Sequence, residues 1–236
     1  MKLRNILAEI GTHLGYAITK NMLIKFLKSL RYSYRRIRKV LKKSPDPAEH
    51  DAKLKEIIQL ISLEKGGFLK VYFADESGFN ETPNVPYGWQ SKDEPLSIPS
   101  SQGQRWNVFG IMSNDNQLFH SKTKGSINAQ FVMDSIDSFV QSPNRAPRSV
   151  IIVDNAKIHH SIAFKSKIPE WQAQGVEIFY LPTYSPHLNR IETLWRKIKY
   201  EWLLPDDFVS WKALTDKLEY ILLHFGEEFT INFTPF

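Results

Sequence analysis

The sequence predicts an α/β protein in which a small all-α segment precedes a mixed five-stranded sheet flanked by helices. Three observations carry that expectation. Apolar residues at helical spacing dominate residues 3–65. From Phe68 onward, β-rich runs alternate with helical ones. Two of those β-rich runs, 68–74 and 149–153, are each followed directly by an aspartate.

The elements follow in order. Residues 3–10 and 18–30 read as helices separated by His13-Leu14-Gly15-Tyr16. In the second, Ile18, Met22, Leu23, Phe26, Leu27 and Leu30 form one stripe, with Lys20, Lys25 and Lys28 off it. A third run, Ser33 to Leu41, is helical and basic. Helix, glycine-containing turn, helix is the helix-turn-helix pattern, and Thr19, Lys20 and Asn21 at the start of its second helix are placed to face a major groove. Ser44-Pro45-Asp46-Pro47 reads as a linker. Ala48 to Lys65 reads as a helix with Leu54, Ile57, Ile58 and Ile61 inward, stopped by Gly66-Gly67.

The run 68–74 is expected to form a strand that stops at Asp75. A long connection, 76–106, holds four prolines together with Trp89 and Trp106, and connections of that length are more often functional than idle. Strands at 107–113 and 118–122 are joined by an Asn114-Asp115-Asn116 turn. A helix at 127–140, a strand at 149–153, a helix around 157–174 and a strand at 176–181 complete the order. Three strands in hairpin order, then alternating helices and strands, is the ribonuclease H-like arrangement. The expected organisation is a DNA-binding segment at 1–43, a linker and helix at 44–66, and a catalytic domain at 67–236.

Composition narrows the class. The chain has 236 residues, no cysteine and a net charge of +6. Disulfides and thiolate metal sites are thereby excluded, and a reducing cytosol fits. No stretch approaches the ~20 uninterrupted apolar residues of a membrane span, and the first residues lack the apolar core of a secretory signal. Charge is unevenly spread: residues 1–43 hold twelve Lys or Arg against Glu9 alone, leaving 19 of the 31 basic and 24 of the 25 acidic residues for the rest. A block this basic points to nucleic acid, because neutralising phosphates releases counterions. Lys20, Asn21, Lys25, Arg31, Arg35, Arg36 and Arg38 are the candidate DNA contacts within it.

The candidate chemistry lies in the remainder. Asp75 and Asp154 each follow an apolar strand, and parallel strands expose functional residues at their carboxyl ends. Leu181 to Trp195 reads as a strand end, a Pro182/Ser185/Pro186 turn and a helix starting near Asn189, with Glu192 in its first turn. A glutamate there is either a helix-end residue favoured by the dipole or a cation ligand. Clustered carboxylates repel and are tolerated mainly when a cation compensates, and oxygen donors without cysteine select Mg²⁺ or Mn²⁺. Two such ions could activate an attacking oxygen and stabilise the leaving oxygen of a phosphodiester. Glu76 and Asp134 read as bystanders, the first facing away from Asp75 and the second on a helix. Asn155 is expected to cap the following helix, His159 to support Asp154 or simply pack, and Trp195 to pack beneath the site. Tyr184 and Trp89 sit in loops where aromatic rings could hold DNA.

Three blocks carry a family resemblance: Asp75-Glu76-Ser77; Asp154-Asn155-Ala156-Lys157-Ile158-His159; and Leu181-Pro182-x-Tyr184-Ser185-Pro186-x-Leu188-Asn189-x-Ile191-Glu192-x-x-Trp195. Together they resemble the signature blocks of mariner-type DDE transposases of bacterial insertion sequences, and Tyr87-Gly88-Trp89 and Ile231-Asn232-Phe233 are similar as well. The resemblance implies a ribonuclease H-like catalytic domain with Asp75, Asp154 and Glu192 as a metal-binding catalytic triad. It further implies Mg²⁺ or Mn²⁺, two ions, and double-stranded DNA (inverted-repeat ends and target) as partner. Cut-and-paste transposition, a homodimer at synapsis and a bacterial, nucleoid-associated cytoplasmic location follow by the same analogy. Position 190 is Arg where the family usually has Pro, so Arg190 is a further candidate DNA contact. Such transposases usually begin with two helix-turn-helix units, whereas residues 1–43 hold one, resembling the second. The alternative reading is a catalytically silent or truncated DNA-binding remnant.

Overall fold

In a computed structural model, residues 3–31, 46–82 and 103–234 are described. The basic run Ser33 to Leu41, with Arg35, Arg36 and Arg38, lies outside them, as does Trp89. The chain divides into two compact units, residues 1–42 and 43–236.

The smaller unit contains α1 (Leu3–Leu14) and α2 (Lys20–Ser29). Gly15, at φ +73°, makes the turn between them, a left-handed conformation that glycine enters without a Cβ clash. Thr19 caps α2 by accepting a hydrogen bond from the Met22 N–H at 3.3 Å. Two helices flank the glycine turn as expected, but the apolar stripe of the second is not a buried one. Of its residues only Leu23 is buried, while Met22, Phe26, Leu27 and Leu30 are exposed.

The larger unit opens with α3 (Pro47–Lys65). The Asp46 side chain caps it, and Pro47 occupies the first turn, where a missing N–H costs nothing. Ile57 is fully buried, so the helix is part of this unit's core and not a free linker. Ile58, expected inward, is 46% exposed. Strand β1 (Lys70–Asn80) forms the centre of the sheet, followed by β2 (Arg105–Ser113), β3 (Leu118–Thr123), α4 (Ala129–Val140), β4 (Ser149–Val153), α5 (Ile162–Ala173) and β5 (Val176–Tyr180). The spatial order is β3-β2-β1-β4-β5. Strands β1, β2 and β3 pair antiparallel, while β4 pairs parallel with β1 and β5 parallel with β4. This is the mixed five-stranded sheet the element order predicts. Helix α6 (Ile191–Lys197) runs into a π-helical turn (Ile198–Trp202), and α7 (Trp211–Leu223), not anticipated from the sequence, follows.

The two sheet faces are covered differently. Val71, Phe73 and Ile152 pack with α3, α6 and α7. Tyr72, Ala74, Ile151 and Val153 pack with α4 and α5, including the buried Trp171. Strand alternation assigns each residue to one face or the other. It sends Asp75 and Asp154 to the α6 side and Glu76 to the opposite side, as expected.

One boundary differs. Strand β1 does not stop at Asp75 but continues to Asn80. The reason is asymmetric pairing. Its parallel ladder with β4 ends at Phe73–Ile152, while its antiparallel ladder with β2 runs on through Asp75–Gly110 to Asn80–Arg105. One edge of β1 is released at Asp75 while the other keeps it extended. No helix among the described residues is long and apolar enough to cross a membrane.

Candidate active site

Where β1 and β4 part, Asp75 and Asp154 stand at matching positions, each two residues beyond the last parallel pair. Leu181 closes the other side, its N–H donating to the Val153 carbonyl at 2.9 Å. From there Pro182 to Asn189 loops over the sheet end through a short 3-10 turn, Pro186–Leu188, into α6. Asn189 pins the loop to β1: it is buried, and its Nδ2 donates to the carbonyl of Ala74, the residue before Asp75, at 3.0 Å. Helix α6 then presents Glu192. The result is a cavity of about 220 Å³ lined by Asp75, Asp154, Asn155, Leu181, Pro182, Tyr184, Ser185, Pro186, Asn189 and Glu192. All three expected carboxylates therefore face one space.

Their electrostatic situations differ. Burial, and then the charges of Glu192, Glu76 and Asp154, push Asp75 well above the usual carboxylate range. Partial desolvation raises Glu192, with Asp154 adding to the rise and Lys199 opposing it. Burial also raises Glu76, again with Asp154 adding, so Glu76 belongs to the same acidic field although it projects from the other face. Burial acts on Asp154 too, but the His159 hydrogen bond and charge, with the Ala156 N–H, outweigh it and hold Asp154 below its ordinary value. His159 is fully buried, and its Nδ1 lies 3.0 Å from Asp154 Oδ1 and 3.1 Å from the Asp154 carbonyl. Both partners are acceptors, so Nδ1 carries the proton.

Other expectations resolve as follows. Trp195 is buried beneath the site. A Cβ at Gly110, the β2 partner of Asp75, would lie 2.9 Å from the Trp195 ring, so glycine there lets the indole close against the sheet. Asn155 does not cap the next helix; it lines the cavity and pairs with His160, while Asp154 itself accepts from the Ala156 N–H at 3.0 Å. Arg190 is engaged within the protein. Its guanidinium donates to Asn114 Oδ1 at 2.7 Å and to the Thr234 carbonyl at 2.9 Å, and lies over the Phe73 and Phe233 rings. It ties the start of α6 to the β2–β3 turn and to the end of the described chain. Lys20, Asn21, Lys25 and Arg31 are exposed in the smaller unit.

Three features went unread in the sequence. Lys199, in the π-helical turn, is lowered by burial, while Glu192 and Asp75 favour its charged form, so its ammonium shares the acidic site. It follows Glu192 by seven residues, two helical turns, and that spacing was the available signal. Asn189 was read only as a helix start. His50 of α3 and His187 of the loop meet Nε2 to Nε2 at 2.8 Å, a contact no local pattern announces. Burial, and then the neighbouring His50, pull His187 below the usual imidazole range.

Around the cavity every acidic donor is an oxygen, the chemistry of a hard cation. Among the described residues, no three His, Cys, Asp or Glu side chains converge closely enough to enclose an ion as they stand. The raised Asp75 and Glu192 are the groups whose mutual repulsion a divalent cation would relieve.

Comparison with known proteins agrees with this geometry. The DDE superfamily endonuclease family matches residues 70–215, more than half the chain, and the chain belongs to that family. A stretch of 129 residues is 22% identical to an insertion element IS630 uncharacterised 39 kDa protein of Shigella sonnei, covering 54% of this chain and 37% of that protein. The chain thus matches little more than a third of that relative's length. Among solved structures, the Mos1 mariner paired end complex with Mn aligns with a TM-score of 0.56 at 14% identity, over 94% of this chain and 68% of that one. The catalytic domain of Mos1 mariner transposase aligns with a TM-score of 0.51 at 12% identity, over 78% of this chain and 85% of that one. At such identities the likeness is one of fold, and it is the ribonuclease H-like fold the sequence order predicted.

Proposed function

We propose that the chain is a transposase that cuts DNA strands at the ends of a mobile element and joins them to target DNA. The observation that carries this reading is the meeting of Asp75, Asp154 and Glu192 on one cavity within a DDE endonuclease domain. In this reading Asp75, Asp154 and Glu192 hold Mg²⁺ or Mn²⁺, two ions in the working site. Bound there, the metal supplies Lewis-acid polarisation of the phosphodiester and activation of the attacking oxygen.

The chain's own residues have separate tasks. His159 holds the Asp154 carboxylate in one orientation from a fully buried position. Asn189 fixes the loop to Ala74, and through it the approach of Glu192 to Asp75. Lys199 offers a cation for a phosphate oxygen beside the carboxylates. The basic segment 1–43 holds duplex DNA through Lys20, Asn21, Lys25 and Arg31, joined by Arg35, Arg36 and Arg38. The Mos1 neighbours include a paired end complex with Mn and a strand transfer complex. They favour DNA as the partner; inverted-repeat ends, target DNA and a homodimer at synapsis belong to this reading.

The test is Mn²⁺-dependent nicking of duplexes ending in the element's inverted repeats. Asp154→Asn is expected to abolish nicking and leave salt-dependent DNA binding in place. Undiminished nicking by that variant would rule out this site. Binding without any cleavage by the unaltered chain would favour a silent DNA-binding remnant.

A further inference from the structure

Tyr184 stands out on the cavity rim. It is one of three described non-glycine residues with a positive φ, at +58°, a region bulky side chains seldom occupy. The chain on either side is fixed: Leu181, Ser185, Leu188 and Asn189 are all buried, and Pro182 and Pro186 restrict the turn. Tyr184 itself is 45% exposed and lines the cavity with the three carboxylates. Among the described residues it has no hydrogen-bond, ion-pair or ring partner. Tyr180, four residues earlier, is the contrast. Its ring stacks on His160 at 4.8 Å and its hydroxyl donates to the His159 carbonyl at 2.8 Å. One tyrosine is consumed by the fold, while the other is held in an unfavourable backbone conformation with no partner among the described residues.

We propose that Tyr184 is a stacking platform for one unpaired nucleobase of the DNA strand whose phosphate lies at the Asp75–Asp154–Glu192 cavity. This rests on the functional reading above and deepens it: the site takes a locally unstacked nucleotide and not merely a phosphodiester. Every base has a π-face, so an aromatic platform grips the strand without selecting its sequence. Unstacking a base next to the cavity costs free energy, and an aromatic platform offsets part of that cost. The rigid turn matters because a ring preset in place loses little freedom on binding.

The experiment compares two short single-stranded oligodeoxynucleotides of equal length in Ca²⁺, using the full chain. One carries a single 2-aminopurine flanked by abasic sites, and the other is abasic throughout. Their phosphates are equal in number, so the basic segment 1–43 contributes alike to both and cancels in the affinity ratio. The expected ratio is about tenfold in favour of the base-bearing probe, with a change in 2-aminopurine emission. Tyr184→Ala should bring the ratio close to one, and Tyr184→Phe and Tyr184→Trp should keep it. The inference is overturned if the unaltered chain shows no preference for the base, if Tyr184→Ala keeps the preference, or if Tyr184→Phe loses it as completely as Ala. Nicking by Asp154→Asn is measured in parallel. Its loss alongside an unchanged Tyr184→Ala ratio sinks the stacking platform alone, whereas its persistence sinks the metal-site reading.

Discussion

Asp75 and Asp154 occupy the same place on neighbouring parallel strands, yet the protein treats them in opposite ways. Asp154 is tied down by the buried His159 and by the Ala156 N–H, which together hold it ionised. Asp75 is buried among other acids, and burial with their repulsion outweighs the nearby Lys199, so its proton is retained more strongly than usual. The difference teaches how such a site is assembled. One carboxylate is made ready by the fold, and the other is left in a state that a further positive charge would relieve. The two strand ends are therefore expected to respond differently to the same substitution.

The largest effect tests the pair as one device. Asp75→Asn and Asp154→Asn should each reduce Mn²⁺-dependent nicking by ~10³-fold or more, since residues acting as a unit fail together. In thermal unfolding without metal, however, they should part. Asp75→Asn removes a repelled buried charge and should raise Tm, whereas Asp154→Asn removes the partner of His159 and should lower it. Equal shifts in one direction would erase the distinction between the two ends.

Next in size is the support behind Asp154. His159→Ala removes a fully buried ring packed on Phe164 and both contacts to Asp154. Emptying such a site typically costs about 3 kcal/mol, read here by urea unfolding. On the Asp75 side the support is steric. Gly110→Ala would drive a Cβ to 2.9 Å from Trp195 and 3.0 Å from Ile191, and overpacking of that kind costs about 1–3 kcal/mol. Because Ile191 precedes Glu192, that variant should also weaken nicking, while one that nicks normally would detach the packing from the site.

These two ends also mark what a sequence reveals. Asp154 was legible because the apolar run 150–153 ends there, and the expected strand 149–153 matches β4 residue for residue. Asp75 was legible as a site residue but not as a mid-strand one. Pairing with β2 is decided by a segment some thirty residues away, and no local pattern shows that one edge of a strand outlasts the other. The mixed five-stranded sheet was legible because hairpins and βα alternation leave few arrangements open, although the strand order itself was not. The internal anchoring of Arg190 was not legible because its partners, Asn114 and Thr234, are 76 and 44 residues distant. Lys199 was missed although its seven-residue offset from Glu192 was in plain view, because the helix was followed only as far as Trp195. Helix α7 went unread for the same reason.

The smallest expected effect is also the most specific to the comparison, because it separates the two aspartates by sign. A carboxyl with a raised folded pKa is harder to ionise in the native chain than in the unfolded one. As pH rises above the ordinary aspartate value, the unfolded state ionises first, and stability falls until the native carboxyl has ionised too. Asp75 and Glu192 should behave this way. Asp154, with a lowered folded pKa, gives stability that is present above the ordinary value and lost as pH falls through the native one. Between about pH 7 and about pH 5 Asp154 stays ionised in both states, so that window reports on the raised pair. Metal-free protein should therefore gain Tm on mild acidification, by an amount that Asp75→Asn reduces. A change of about 1 kcal/mol moves Tm by roughly 2–4 °C in a chain of this size. Saturating Mn²⁺ should remove the gain, because the bound cation favours the ionised carboxylates that acid would protonate. The difference between wild type and Asp75→Asn is the quantity to read. If that difference is absent without metal, Asp75 is not the strained end of the site.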